Sequence, residues 1–308
     1  MSFTAQVKDE LSRVEGTHEL VRYAQLSAIM RVCGTLSFRG AGGYSLSVST
    51  ETGAVARTMI KLTHELFDLE TPLTVRHSVL HNTRNYLIEI PPQDELEEDL
   101  RRLRILVPGQ GLATGIPHAL LKDNECKRAF LRGAFMAGGF VADPRRDFHL
   151  EIAVTGETFA RETAELLAEF GVRARLNHRR GAFAIYSKSF DDVTGALKVM
   201  GALRSARAIE QVRRMKSLKN DVNRRVNADM ANSARATNAA SDQLALVERA
   251  RTNPGFAALP PAVRSFCEAR EAHPELSLAE LGALLDPPVS KSAMYHRLLR
   301  LQALVDGE

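Results

Sequence analysis

Two hydrophobic periods alternate along the first two hundred residues. Apolar and small residues recur at helical spacing in YAQLSAIMRVCG (23–34). The segments LSF (36–38) and YSLSVS (44–49) then flank RGAGG, a glycine-rich hairpin signal. A helix is predicted at 53–68, with Ile60, Leu62, Leu66 and Phe67 toward a core. TPLTVRHSVL (71–80) and TRNYLIEI (83–90) alternate as a strand pair, and 94–106 reads as a helix that begins acidic and ends basic. VPGQGLATGIP (107–117) carries three glycines and two prolines and is predicted to be a loop. Beyond it Asp123 can N-cap a helix over 125–137. Strands at 148–154, a helix at 157–170, strands at 172–178 and 182–187 and a helix at 190–200 follow.

The second series repeats the first. At an offset of 105, Leu26 falls on Leu131, Ala28 on Gly133, Met30 on Phe135 and Gly34 on Gly139. At an offset of 104, Ala56 meets Ala160, Arg57 meets Arg161, Leu62 meets Leu166 and Leu66 meets Phe170, while NYLI (85–88) resembles AFAI (182–185). The expected class is therefore α+β, with two pseudo-symmetric αββαββ halves at 1–107 and 117–202.

Residues 203–250 have few strand or turn formers and read as helix. Asparagine is a poor helix-interior residue, yet Asn220, Asn223, Asn227, Asn232 and Asn238 are interleaved here with Arg213, Arg214, Lys216, Lys219, Arg224 and Arg225. Arginine, lysine and asparagine are residue types that hydrogen-bond phosphates and base edges. A polar linker with asparagines marking caps and breaks is the alternative. We take 203–240 as a basic, asparagine-rich helical linker and 241–308 as a separate all-α domain. In that last domain 262–273 is amphipathic, Ser277 can cap a helix over 278–285, DPPVS is a turn, and Ser290 can cap a helix over 291–302. Met294, Leu298 and Leu301 face inward, leaving Lys291, Ser292, Tyr295, His296, Arg297 and Arg300 outward. This is a helix-turn-helix plan, with Ser290 to Gln302 as the recognition helix. A small helical bundle without a nucleic-acid role fits the same pattern.

Composition narrows the choice. Hydrophobic residues are 44% and charged residues 25% of 308, the balance of a globular chain of about two domains. No window approaches a membrane span, and the polar start MSFTAQVKDE is not a signal peptide, so a cytoplasmic protein is expected, nucleoid-associated on the DNA-binding reading. The three cysteines (Cys33, Cys126, Cys267) lie far apart in no CxxC pair, so neither a disulfide framework nor a structural zinc site is expected. Charge is uneven. Residues 1–202 hold 25 basic and 25 acidic side chains, 203–250 hold 10 and 5, and 251–308 hold 6 and 7. The surplus positive charge is concentrated in 204–225, the signature of a polyanionic partner or else of a solvated helix face. PGQGLATG lacks both the flanking elements and the GK[ST] of a phosphate loop.

A helix with a small-residue face at the head of each αββαββ half resembles the motif helix of LAGLIDADG homing endonucleases. The resemblance implies two closely packed motif helices at the centre of a saddle made by two sheets. In the active enzymes each helix ends in an acid that binds the catalytic metal, because magnesium demands hard oxygen ligands. Aligning LSAIMRVCG (26–34) and LRGAFMAGG (131–139) puts Cys33 and Gly138 at those positions, and neither supplies a carboxylate. Asp143 and Asp147 follow in the next hairpin without counterparts in the first half. No catalytic residue, metal or cofactor is predicted.

The whole combination resembles the WhiA family of bacterial regulators, linked to sporulation and cell division. The most specific stretches are RRMKSLKNDVNRRVNADMAN (213–232) and LGALLDPPVSKSAMYHRLLRL (281–301). Two positions depart from the family pattern: Tyr295 stands where asparagine is usual and Ala293 where glycine is. The resemblance implies a C-terminal domain like sigma-factor region four, double-stranded promoter DNA as partner, and association with a WhiB-type iron–sulfur protein and an RNA polymerase sigma factor. Three readings follow: a sequence-specific transcription regulator, a saddle turned into a protein-docking module, and an active metal-dependent endonuclease. The last requires oxygen ligands at 33 and 138.

Overall fold

The computed structural model describes residues 2–38, 40, 43–78, 83–179 and 181–307. Most of the predicted RGAGG hairpin and the tip between the strands near residue 80 therefore lie outside the described residues. The chain divides into two compact units, Met1–Met215 and Lys216–Glu308.

The first unit contains both halves. Its elements are α1 (Phe3–Leu11), α2 (Glu19–Cys33), β1 (Gly34–Phe38), β2 (Tyr44–Thr50), α3 (Gly53–Leu66), β3 (Leu73–Ser78), β4 (Thr83–Ile90) and α4 (Leu96–Arg102). After a short ladder of β5 (Leu106–Val107) with β6 (Gly111–Leu112) come α5 (Asn124–Gly138), β7 (Gly139–Val141), β8 (Leu150–Val154), α6 (Glu157–Glu169), β9 (Arg175–Arg179), β10 (Ala182–Ser187) and α7 (Phe190–Met200). Each half contributes an antiparallel sheet, ordered β1-β2-β4-β3 and β7-β8-β10-β9. The repeat read from sequence is thus a repeat of topology. Its partners also occupy equivalent core sites: Ala56 and Ala160, Leu62 and Leu166, and Ile88 and Ile185 are all buried.

Four expectations are corrected here. Helix α1 was not predicted; its nine residues bury Val7 and Leu11, and so short a helix holds only through such packing. Strand β7 has three residues, too few to show a period. The predicted helix 94–106 covers only Leu96–Arg102, because the next residues turn through Arg104 at φ 58°. Within the predicted 107–117 loop, β5 and β6 pair Leu106 with Leu112 and Val107 with Gly111. That segment is held by Arg31, whose guanidinium donates to the carbonyls of Ala113 (3.2 Å), Gly115 (2.8 Å) and Arg104.

Helix α8 (Leu203–Arg251) is continuous over 49 residues. The predicted linker and the first residues of the predicted C-terminal domain are thus one helix, and all five asparagines lie within it rather than at breaks. At its start the Glu10 carboxylate accepts from the backbone of Arg204 (2.7 Å) and Ser205 (3.0 Å), satisfying amides that a helix N-terminus leaves open.

In the second unit the end of α8 packs with α9 (Pro261–Ala272), α10 (Leu278–Leu284) and α11 (Lys291–Asp306). Val247, Val263, Phe266, Cys267, Leu281, Met294 and Leu301 form its core. Arg270 is buried beside them. Its guanidinium donates to the carbonyls of His273 (3.3 Å), Pro274 (3.4 Å) and Leu276 (2.6 Å), and to Gln243 Oε1 (2.8 Å). One cation therefore ties α8 and α9 to the chain that leads into α10.

Candidate nucleic-acid interface

The motif helices α2 and α5 lie backbone against backbone. A Cβ on Gly133 would stand 2.4 Å from the Gln25 carbonyl oxygen and 2.9 Å from the Ala28 Cβ, so only glycine permits the approach. Arg132 fixes the crossing: its Nε and Nη2 each donate to Gln25 Oε1 at 3.1 Å. Both helices end at the predicted positions, Cys33 and Gly138.

Neither end offers a metal ligand suited to phosphodiester chemistry. The Cys33 thiol donates to the Ile29 carbonyl at 3.2 Å, and burial pushes its pKa up to about 12. Its neighbour Lys8 is buried too; desolvation lowers its pKa, while Cys33 and Glu51 pull the other way. At Gly138 a Cβ would fall 2.3 Å from the Ala153 carbonyl oxygen and 2.7 Å from Val32 Cγ1. The space for a second acid is already filled by backbone. Asp143 and Asp147 are turn residues: Asp143 accepts from the Arg145 amide (2.9 Å) and Asp147 from the Phe148 amide (2.8 Å).

Among the described residues one group could hold a metal ion: His18, Asp123 and Cys126, at the opposite ends of the same helices. Its geometry is that of a cap. Asp123 Oδ1 accepts from the amides of Glu125 and Cys126 at 2.8 Å, and Oδ2 lies 3.6 Å from His18 Nε2. Two helix N-termini converge there, and their dipoles disfavour a cation.

The sheet faces turned away from the buried side are unlike each other. Register places Thr35, Ser37, Ser45, Ser47, Ser49, Thr74, Arg76, Asn85, Leu87 and Glu89 on that face of the first sheet. On the second it places Phe140, Glu151, Ala153, Ala184, Tyr186, Arg175, Asn177 and Arg179. The first is rich in hydroxyls, the second in alanine and aromatic residues, and neither carries more than a slight charge excess.

Along α8 every residue from Ser217 to Ala239 is exposed. Lys216, Asn220, Asn223 and Asn227 recur at spacings of four, three and four, which gathers them into one stripe. Arg224 pairs with Asp221 at 2.5 Å. Arg214, Lys219 and Arg225 are exposed on other parts of the circumference. Arg213 is engaged within the first unit: its guanidinium lies 3.9 Å from the Phe190 ring centroid and 3.5 Å from Asp191 Oδ1.

The helix-turn-helix is built as expected, with α11 running four residues beyond the end of the predicted recognition helix. Ser277 closes a capping box with Glu280, and the Ser290 hydroxyl accepts from the Ala293 amide at 3.2 Å. The turn depends on Gly282, which sequence reading did not single out. Its carbonyl accepts from the Val289 amide at 2.9 Å, and a Cβ there would lie 2.4 Å from the Val289 oxygen. Met294 and Leu301 point into the core, while Lys291, Ser292, Tyr295, His296 and Arg300 are exposed. Arg297 is half-buried, with Nη1 3.9 Å from Met294 Sδ. The second helix therefore presents one cationic, hydrogen-bonding face.

Fold and site together define a class: paired LAGLIDADG-like half-domains without the motif acids, joined to a helix-turn-helix domain. The chain belongs to the WhiA family. Residues 19–106 match the WhiA N-terminal LAGLIDADG-like domain, 127–219 the WhiA LAGLIDADG-like domain and 222–305 the WhiA C-terminal HTH domain. A relative named probable cell division protein WhiA, from Heliobacterium modesticaldum, is 37% identical over 308 residues, covering 100% of this chain and 97% of its own. A relative of the same name from Clostridium novyi is 34% identical over 310 residues, covering 99% and 98%. Among solved structures, full-length DUF199/WhiA from Thermotoga maritima matches with a TM-score of 0.63 at 24% identity, over 100% of this chain and 99% of that one. The N-terminal LAGLIDADG domain of DUF199/WhiA matches with a TM-score of 0.55 at 22% identity, over 68% of this chain and 96% of that one. Among the described residues no helix is long and apolar enough to cross a membrane.

Proposed function

We propose that this protein is a sequence-specific DNA-binding transcription regulator of cell-division and sporulation genes, without nuclease activity. The observation that carries the proposal is the exposed face of α11, with Lys291, Ser292, Tyr295, His296 and Arg300 outward on a helix seated by Met294 and Leu301. A helix of that kind enters a major groove, where such side chains reach base edges. The Lys216, Asn220, Asn223 and Asn227 stripe supplies phosphate contacts, and Arg214, Lys219, Arg224 and Arg225 add positive potential. Arg213 stacks on Phe190 at the start of α8 with its side chain still half-exposed, so its charge adds to the same potential. The functional division is 1–202, 203–240 and 241–308. Loss of cleavage follows from Cys33 and Gly138. Family membership supports a WhiB-type iron–sulfur protein and a sigma factor as partners, at the nucleoid.

The saddle as a protein-docking module is a second reading, favoured by its outward faces, where Ala153, Ala184 and Leu87 stand among few charges. A titration of the full chain on a library of genomic duplexes with magnesium tests the main reading. It predicts a subset of sites bound well above random sequence with every strand intact; equal affinity for all duplexes overturns it.

A further inference from the structure

The second half carries a cavity that neither the helix-turn-helix nor α8 uses. It lies where β9 begins and β10 runs into α7, and holds about 500 Å3. Arg173, Arg175 and Lys188 line it and are exposed; register sets Arg175 directly across from Tyr186, whose ring belongs to the same wall. The floor is Ser187, 8% exposed, with Ser189 beside it. Ser187 Oγ accepts from the Ser189 amide at 3.3 Å and Ser189 Oγ from the Asp192 amide at 3.4 Å. Among the described residues neither hydroxyl donates its own hydrogen. The one acid of the lining, Asp192, is buried and turned to Arg173: its Oδ1 accepts from the Arg173 amide at 2.9 Å and lies 3.7 Å from Arg173 Nε. Arg175 and Lys188 form no ion pair among the described residues.

Three cations thus stand against one acid, leaving two positive charges, and the hydroxyls below them have hydrogens to give. Such a wall takes an anion, and its chemistry narrows which. A carboxylate brings one charge and two oxygens. A phosphate monoester brings nearly two charges near neutrality and three oxygens, enough for guanidinium, ammonium and hydroxyl donors together. The volume is that of a small-molecule site, well beyond what a phosphate alone fills. Tyr186 offers the remainder a flat face of the kind on which a nucleobase stacks. We infer that the cavity between β9, β10 and α7 binds a small phosphate monoester of nucleotide type. Arg175, Lys188 and the Ser187 hydroxyl hold its phosphate, and Tyr186 takes its ring. A backbone phosphate of DNA suits the cavity less: it carries one charge and a sugar on either side, which keep its oxygens from a buried floor.

Isothermal titration calorimetry of the full chain tests this with three probes: AMP, inorganic phosphate and dimethyl phosphate, the last a mimic of the DNA backbone. AMP is expected to bind saturably below about 1 mM, phosphate at least tenfold more weakly, and dimethyl phosphate not at all. AMP affinity should fall as pH drops through about 6, where the monoester loses its second charge. The double variant Arg175→Gln/Lys188→Gln should weaken AMP binding at least tenfold while duplex affinity changes less than twofold. Tyr186→Leu should bring AMP down to the level of phosphate and leave phosphate itself unchanged. An unchanged melting curve verifies that each variant folds. Absence of AMP binding, AMP no tighter than phosphate, dimethyl phosphate equal to AMP, or AMP binding that survives the double variant overturns the assignment. So does displacement of AMP by duplex together with loss of duplex affinity in the double variant, which would give the cavity to DNA. Duplex affinity is read separately, so failure here leaves the DNA-binding reading standing, and the reverse.

Discussion

At the residue scale, three positions carry most of the argument. Gly138 is the clearest, since the Ala153 carbonyl and Val32 occupy the volume a side chain would need. Gly138→Asp should therefore lower stability by about 3 kcal/mol in urea unfolding, through overpacking and a poorly solvated carboxylate, and should yield no magnesium-dependent cutting. A stable, cleaving variant would show that the end of α5 does have room for a carboxylate and that an acid there restores cutting. Asp123 sits at the other end. The backbone amides of Cys126 and Glu125 hold its carboxyl below the ordinary carboxylate value. A depressed folded pKa stabilises above the unfolded value and ceases to as pH falls through the folded one. Asp123→Ala should cost about 1 kcal/mol near neutrality, a difference that closes in melting curves recorded below about pH 4. Gly282 is the third. A Cβ there would meet the Val289 oxygen, so Gly282→Ala should destabilise the second unit by about 2 kcal/mol and weaken duplex binding. Unfolding followed by probes in each unit separates this from a global effect.

At the scale of elements, the division of labour proposed for α11 and α8 on DNA makes distinct forecasts. Replacing Lys291 or Tyr295 with alanine should compress the affinity ratio between preferred and random duplexes by about tenfold, as expected for impaired base readout. Replacing Lys216 and Arg224 together should weaken all duplexes alike and make the salt dependence shallower. The slope of log K against log salt should fall by about 0.9 for each phosphate no longer neutralised. Competition titrations at two salt concentrations distinguish the two patterns. Elements with long, clean periods were legible in the sequence: the motif helices, α3 and α6, the central strands and the helix-turn-helix. Helix α1 and strand β7 were not, because neither is long enough to show a period and both persist by tertiary packing. Gly282 and Arg270 escaped for a related reason. Their roles depend on chain several residues away, and Gly282 looks in sequence like any helix glycine.

At the scale of the whole molecule, the internal repeat and the charge distribution were the informative signals. Matched residue pairs at offsets of 104 and 105 foretold two sheets of identical strand order. The alignment of the two motif helices foretold where they end, at Cys33 and Gly138, and the geometry at Gly138 adds why an acid cannot simply be placed there. The uneven charge pointed to α8, but not to which of its cations are already used. The pairing of Arg213 with Asp191 and Phe190 became visible only once α7 and α8 were placed.

The central claim is selective DNA recognition by the α11 face of a chain that does not cut. Its most direct measurement is a competition titration of the full protein and the Lys291→Ala/Tyr295→Ala variant on genomic duplexes in magnesium. The account predicts that the wild-type chain prefers a defined set of sites, that the variant retains general affinity but loses the preference, and that no duplex is cleaved. A variant with undiminished preference would contradict it, moving recognition away from α11, and so would magnesium-dependent strand breaks.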